Sequence, residues 1–421
     1  MFNREFSNTF KEFIENTVVS KNHLIKKCEI DRSTFYKYLR GDRLPTLDHY
    51  RKIINEMNLP NPQKQVLDKI YIKATMGDEF YRNFDNMMLS INRISYIYGY
   101  GSYTRKKMNL NYIDDGKEFY DNYIDVQYLL TNLAKEIVYN EPNKCDYYLP
   151  PKITNFTDKI YDLVKIKNIN NIKFRSLMEI NSKDNIEFMN KVYNELPLML
   201  EFENYNLYYY YSKNGPIESV GILYPYYIIL DEKAVVFSKD FSKAMVLNDV
   251  EAVQLFRDEF EKSIDMSEKL ISNVEEVECP EGAEDIFLIN GSRYINRRFK
   301  RWKDKHRIIN ICSLCGIKNF ITENMDGQKE LVDLILNDIN KGIYIYDDSK
   351  LELNDKFTIF VMKNRIYFYY ADTDKVFVLI EKRCVKQMRD ILDETISTGY
   401  NMVSKNYLAD NFCSKLKNII I

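Results

Sequence analysis

Long apolar runs are missing from this chain. No stretch approaches the ~18 residues that a bilayer-spanning helix needs. The opening MFNREFSNTF is polar and carries no apolar secretion core. A cytoplasmic location without a membrane partner is therefore expected. Cysteine is sparse, with seven copies irregularly placed. An odd number in that arrangement argues against a disulfide framework and suits a reducing compartment. Histidine occurs only at His23, His49 and His306. Two of the three fall in the first fifty residues, so a histidine-centred catalytic site in the large remainder is not expected. The P-loop, the dinucleotide-binding glycine pattern, the nucleophile elbow and HExxH are all absent. Carboxylates are plentiful, yet spacing singles out no pair. The expectation is a protein that is not an enzyme and holds no cofactor and no metal. Cys312-x-x-Cys315 offers two thiols where a zinc site wants four ligands. It reads as ordinary thiols at a helix end, with a metal or redox role as the alternative. Strong overall charge is lacking too. The formal net charge is −2, so any nucleic-acid site must be a local basic patch.

What is present is a soluble composition, 45% apolar and 29% charged over 421 residues. That length suggests two or three domains. The first sixty residues read as short helices. Phe6, Phe10, Phe13 and Ile14 lie on one face, and Leu24, Ile25 and Cys28 form a second stripe. Phe35, Tyr38 and Leu39 form a third, and Leu47, Tyr50, Ile53, Ile54 and Met57 a fourth. Gly41 stands where a helix end wants a residue tolerant of positive φ. Pro45 and Thr46 open the next helix, and NLPNP closes it. The helical pattern then runs to about residue 140. Phe119, Tyr123, Val126, Leu130, Leu133 and Ile137 recur at 4, 3, 4, 3 and 4, a heptad-like seam. Such a seam packs within its own domain or dimerises; it supplies the candidates for a homodimer interface.

The Pro-bearing stretch NEPNKCDYYLPPKITN at 140–155 looks like a linker. Beyond it the pattern is mixed. YNLYYYY, YYIIL and AVVFS read as strands before a helix from about Asp249 to Ser272. GIYIYDD, FTIFVM, RIYFYYA and KVFVLI read as strands before a helix from about Glu381 to Ile396. YYIILDEKAVVFS with its helix can be laid against IYFYYADTDKVFVLI with its own. The helix NIEFMNKVYNEL at 185–196 likewise matches QKELVDLILNDI at 328–339. A weak internal duplication with a period of roughly 140 residues is one reading, and chance similarity is the other. The tyrosines at 208–211, 224, 226 and 227 line either an aromatic pocket or a half-buried sheet face. The expected fold is a mainly α N-terminal domain (1–60) and a helical linker or dimerisation segment (61–140). An α+β region of two tandem related modules follows (141–275 and 276–421).

Residues 20–52 concentrate charge. They hold nine Lys or Arg against four Asp or Glu, a local net of +5. Cations that neutralise phosphates supply most sequence-independent affinity for DNA. Asp31 is a plausible N-cap for a helix whose Phe35, Tyr38 and Leu39 point inward. Arg32, Ser33, Thr34, Tyr36, Lys37 and Arg40 are left outside. A helix presented this way fits the major groove of B-DNA.

The segment resembles the phage-repressor-like (XRE or Cro type) helix-turn-helix family. The matching residues are Leu24, Ile30, Arg32-Ser33-Thr34-Phe35, Lys37, Arg40, Gly41, Arg43 and Pro45, with the final helix from Leu47 to Leu59. The resemblance covers about 55 residues, an eighth of the chain. Two positions depart from the family pattern: Glu29 where Gly is usual, and Ile25 where a small residue is usual. The resemblance implies that Ser20, Lys21 and the recognition helix contact double-stranded DNA. Arg32, Ser33, Thr34 and Tyr36 would face base edges, with Lys21, Lys37, Arg40 and Arg43 mainly on phosphates. A sequence-specific transcriptional regulator, acting as a homodimer with an unknown small-molecule or protein effector, is the implied function. The alternative is an interaction protein, antitoxin-like or part of phage defence, whose head docks a protein.

A candidate second basic patch occupies 293–307. Arg293, Arg297, Arg298, Lys300, Arg301 and Lys303 surround an apolar series, Ile295, Phe299, Trp302, His306 and Ile309, at helical spacing. A solvated basic face, a second nucleic-acid or phosphorylated-ligand contact, and a membrane-surface helix are the three readings.

Overall fold

Apolar side chains three and four residues apart set the first five helices, α1 (Phe2–Asn16), α2 (Lys21–Lys27), α3 (Arg32–Arg40), α4 (Leu47–Met57) and α5 (Asn61–Met76). The computed structural model describes residues 2–95, 116–150, 153, 155–167, 171–180, 185–211, 224–282, 284–290, 306–313, 343–346, 357–370 and 373–398. Two compact units have Met1–Asn86 and Met87–Arg389 as their main segments.

In the first unit α1 packs on α3 and α5, and α2 on α4. Phe6, Phe10, Leu24, Phe35, Tyr38, Ile53 and Leu67 are buried in one core. The rings of Tyr50 and Tyr71 stack at 4.0 Å. The Tyr71 hydroxyl donates to the Pro45 carbonyl at 2.9 Å, which ties the loop before α4 to α5. Burial pushes the Tyr71 phenol up to about 12, against the pull of the Arg51 charge. Helix α6 (Asp78–Ser95) continues the chain into the second unit.

The second unit is an α+β region with two mixed sheets. The first sheet contains β1 (Phe119–Tyr120), β2 (Lys144–Tyr148), β3 (Lys173–Ile180), β4 (Tyr205–Tyr211), β5 (Tyr226–Ile229), β6 (Ala234–Phe237), β7 (Ala244–Leu247) and β8 (Glu268–Lys269). Their order is β1-β7-β6-β5-β2-β3-β4-β8. Helices α7 (Tyr123–Asn140), α8 (Asn155–Lys167), α9 (Asn185–Glu201) and α10 (Val250–Asp265) accompany it. The second sheet contains β9 (Ile271–Val274), β10 (Asp285–Asn290), β11 (Arg307–Ser313), β12 (Ile343–Tyr346), β13 (Phe357–Val361), β14 (Ile366–Tyr370) and β15 (Lys375–Leu379). Its order is β12-β11-β10-β13-β14-β15-β9, and α11 (Lys382–Thr398) follows.

Read strand for strand, β1 to β7 and β9 to β15 follow one topology. In each, three successive strands are parallel (β2-β3-β4 and β10-β11-β12), and four antiparallel pairings carry the rest of the sheet. The registers repeat as well. Ile229 pairs with Ala234, and Val361 with Ile366. The turns between them close with the same bond, Leu230 N–H to Lys233 O at 2.8 Å and Met362 N–H to Arg365 O at 2.9 Å. One constant offset relates these residues. It also carries Asp249, which caps α10, onto Glu381, whose carboxylate accepts from Cys384 N–H before α11. It carries Ser263 onto Thr395, and each hydroxyl donates to the carbonyl four residues back.

That register corrects the pairing read from sequence. YYIIL and AVVFS correspond to FTIFVM and RIYFYYA, one strand earlier than expected. The cause is β7, a four-residue, half-buried strand inside the polar SKDFSKAMVLN, too short to show period-two alternation. Within 140–155, Lys144–Tyr148 is β2, which lies between β5 and β3 in the sheet. The last residue of the expected helical series, Ile309, is corrected likewise; residues 293–305 lie outside the described residues. Ile308, Ile309 and Ile311 sit in β11, and β-branched residues favour the pleated strand over a helix. The matching helix expected at 328–339 lies outside the described residues.

Candidate nucleic-acid interface

Local chemistry sets the α2–α3 pair. Ser20 caps α2 by accepting from His23 N–H at 3.2 Å. Asp31 caps α3, its Oδ1 accepting from Ser33 N–H at 2.8 Å, Thr34 N–H at 3.1 Å and the Ser33 hydroxyl at 2.6 Å. These bonds, the Ser33 hydroxyl foremost, hold the Asp31 carboxyl below its usual value. Both helices end alike. Ile30 N–H bonds back to Ile25 O at 3.1 Å and Glu29 N–H to Lys26 O at 3.4 Å. Asp42 N–H bonds back to Lys37 O at 3.0 Å and Gly41 N–H to Tyr38 O at 3.2 Å. This is the Schellman pattern, whose pivot needs positive φ. Gly41 meets that at φ 76° and Glu29 at φ 54°. Thus the non-glycine residue at the α2–α3 turn does adopt the left-handed region, at a cost of about 1–2 kcal/mol.

The expected contact residues divide by exposure. Arg32, Ser33, Lys37, Arg40 and Arg43 are exposed, as is Ser20. Lys21, Thr34 and Tyr36 are half-buried, and Tyr36 packs against the helical core. Phe35, Tyr38 and Leu39 are buried, so α3 keeps one face inward and its cationic side outward. Two side chains expected to face DNA have protein partners. The Ser33 hydroxyl is held by Asp31, and Ser20 is occupied as a cap. Sequence reading missed two ion pairs, Lys21 with Glu15 at 3.1 Å and Arg40 with Asp42 at 2.8 Å. Neither has the three- or four-residue helical spacing that would have revealed it. The Arg40 pair is solvent-exposed and the Lys21 pair partly so, so phosphates can compete with the carboxylates at small cost. Arg32, Lys37 and Arg43 form no ion pair among the described residues.

The other predicted residues are not brought to this surface. In the seam on α7, Val126, Leu130, Leu133 and Ile137 are buried inside the second unit, whereas Phe119 and Tyr123 are exposed. Helix α7 packs on α8, so these four seam residues pack within the chain. Phe119 itself lies in β1, paired with Met245. Arg293, Arg297, Arg298, Lys300, Arg301 and Lys303 lie outside the described residues. No helix among the described residues is long and apolar enough to cross a membrane. Neither the protein-family models nor the curated proteins give a match to this chain.

Proposed function

We propose that the N-terminal helices form an XRE/Cro-type helix-turn-helix and that the chain is a sequence-specific DNA-binding transcriptional regulator. One observation carries the reading: α3 buries Phe35, Tyr38 and Leu39 while exposing Arg32, Ser33, Lys37 and Arg40 on the opposite side. A helix of that kind enters a major groove with its polar edge towards the bases. Arg32 at the start of α3 would reach base edges, and Lys37 and Arg43 would reach phosphates. Two heads on half-sites about one helical turn apart would combine their affinities. The α+β region would bind the effector or protein that alters occupancy.

The test is binding of the full chain to random duplex and to genomic fragments it captures, read by fluorescence anisotropy against salt. Affinity for random duplex should fall steeply with salt, and neutralising Lys37 or Arg43 should reduce the log–log slope by about 1. Arg32→Ala should weaken the captured site by about 1–3 kcal/mol and relax its sequence preference. Salt-insensitive or undetectable DNA binding would defeat the reading and favour a head that docks a protein.

A further inference from the structure

The two modules differ at the connection that follows the first strand of each. Between β1 and β2 the first module carries α7, whereas between β9 and β10 the second has only residues 275–284. A cleft of about 570 Å³ opens beside that shorter connection, lined by Glu278, Cys279, Glu281, Glu284, Lys363 and Arg365 among others. Cys279 is exposed, while Cys28, Cys145 and Cys384 are buried. Behind it stands His306, only 5% exposed, with Nε2 at 3.5 Å from Cys279 Sγ.

The repeat shows that His306 is no ordinary core residue. Lys173 pairs with Lys144 and Arg307 with Asp285 in corresponding registers. The residue before each, Ile172 and His306, therefore occupies the same place. Ile172 is a buried apolar residue. The second module puts one of only three histidines there, and its buried Nδ1 has no hydrogen-bond partner among the described residues. An unpaired buried nitrogen costs about 1–3 kcal/mol, which isoleucine avoids. The bond made by one ring nitrogen normally fixes the protonation of the other. With Nδ1 unpartnered, nothing prevents Nε2 from accepting the thiol proton. A nucleophile with a base at hydrogen-bond reach is the signature of an activated thiol.

The cleft is acidic. Glu278, Glu281 and Glu284 face Lys363 and Arg365, and Arg365 is itself engaged by Glu278 and the Tyr367 hydroxyl. We propose that Cys279 and His306 form a thiol-exchange site that takes up small, positively charged disulfides as a mixed disulfide. His306 Nε2 accepts the Cys279 proton as Sγ attacks the nearer sulfur of the incoming disulfide. The S–S bond breaks, and the departing sulfur leaves with the electron pair. It takes the proton from His306, giving one mixed disulfide on Cys279 and one free small thiol. The site is independent of DNA binding by the N-terminal helices.

The experiment treats the full reduced chain with cystamine, a dication, and with 3,3′-dithiodipropionate, a dianion of similar size. Intact mass and peptide mapping follow the adducts, with N-acetylcysteine amide as the free-thiol standard. A single cysteamine adduct on Cys279 should form about a hundredfold faster than on the standard. The cystamine-to-dithiodipropionate rate ratio should exceed that of the standard. Glu281→Gln should lower this preference and leave the fold unchanged. His306→Leu, which imitates Ile172, should keep Cys279 exposed yet return its rate to that of the standard. Cys279→Ser should abolish the adduct. An adduct elsewhere, or a Cys279 rate equal to the standard in the wild-type chain, would overturn the proposal. An unchanged rate in a folded His306→Leu variant, its fold checked by circular dichroism, would also overturn it.

Discussion

The two sheets agree in every strand neighbour and direction from β1–β7 to β9–β15, yet they fill equivalent places with opposite chemistry. Asp146 faces Arg175 across β2 and β3; the corresponding pair across β10 and β11 is Phe287 and Ile309. In the first sheet Arg175 donates to both Asp146 oxygens at 2.7 Å and to Glu261 at 2.7 and 2.8 Å. Lys144 adds a bond to Glu261 at 2.7 Å. Arg175, with help from Lys144, holds the Glu261 carboxyl down to about 2. In the second sheet an apolar contact suffices, and the Arg389 guanidinium lies over the Phe287 ring at 5.2 Å. Strand order and turn register thus persist while the core pair changes from ions to hydrocarbon. A buried ion pair roughly balances its desolvation against its attraction, so a packed apolar pair is an energetic equivalent. What neither tolerates is half of itself.

The sharpest way to break this comparison is to remove one partner. Arg175→Ala should destabilise the first sheet by about 3 kcal/mol, because the buried Asp146 loses its bidentate partner and keeps only the Lys144 ammonium at 3.3 Å. Protection of β2 and β3 amides against hydrogen exchange reports it. Replacing both residues, Asp146→Phe with Arg175→Ile, should recover most of that loss by importing the second sheet's solution. A double variant as unstable as the single one would show that the modules are not interchangeable at this place.

A milder substitution sharpens the likeness instead. Val253 of α10 and Val385 of α11 correspond in the repeat, and both are buried. Truncating either to alanine removes the same two methyls from equivalent packing, so each should cost about 2 kcal/mol. A difference well beyond 1 kcal/mol between their urea-unfolding free energies would show that the helices are seated differently.

The same contrast explains what could be read from sequence. Helices α1 to α4 were legible because Phe6, Phe10, Leu24, Phe35, Tyr38 and Ile53 repeat at helical spacing and are buried as that spacing implies. The hairpin strands β5, β6, β13, β14 and β15 were legible from β-branched and aromatic runs between turn residues. Strands β2 and β3 were not, because KCDYY and KFRSLMEI carry Asp146 and Arg175, and only their pairing across the sheet allows burial. The seam on α7 was visible as a period, but a period does not say which surface it meets. At the candidate interface the amphipathic pattern separated the buried Phe35, Tyr38 and Leu39 from the exposed Arg32, Ser33, Lys37 and Arg40, while Thr34 and Tyr36, expected outside, are half-buried. The Glu15 and Asp42 partners of Lys21 and Arg40 depend on how the chain turns between helices, which the pattern does not encode.

The smallest test repeats the comparison at two helix ends. Glu29 and Gly41 pivot the same hydrogen-bonded ending, at φ 54° and 76°. If backbone geometry alone decides their effect, the two positions should respond in opposite directions. Gly41→Ala places a Cβ in the left-handed region and should cost about 1–2 kcal/mol. Glu29→Gly relieves that strain but frees the unfolded chain, so the net gain should be under about 1 kcal/mol. Hydrogen exchange of α2 and α3 amides in the full chain measures both. Loss of stability in Glu29→Gly would mean that the carboxylate contributes more than the backbone strain takes away. The turn would then owe its glutamate to a contact and not to tolerance.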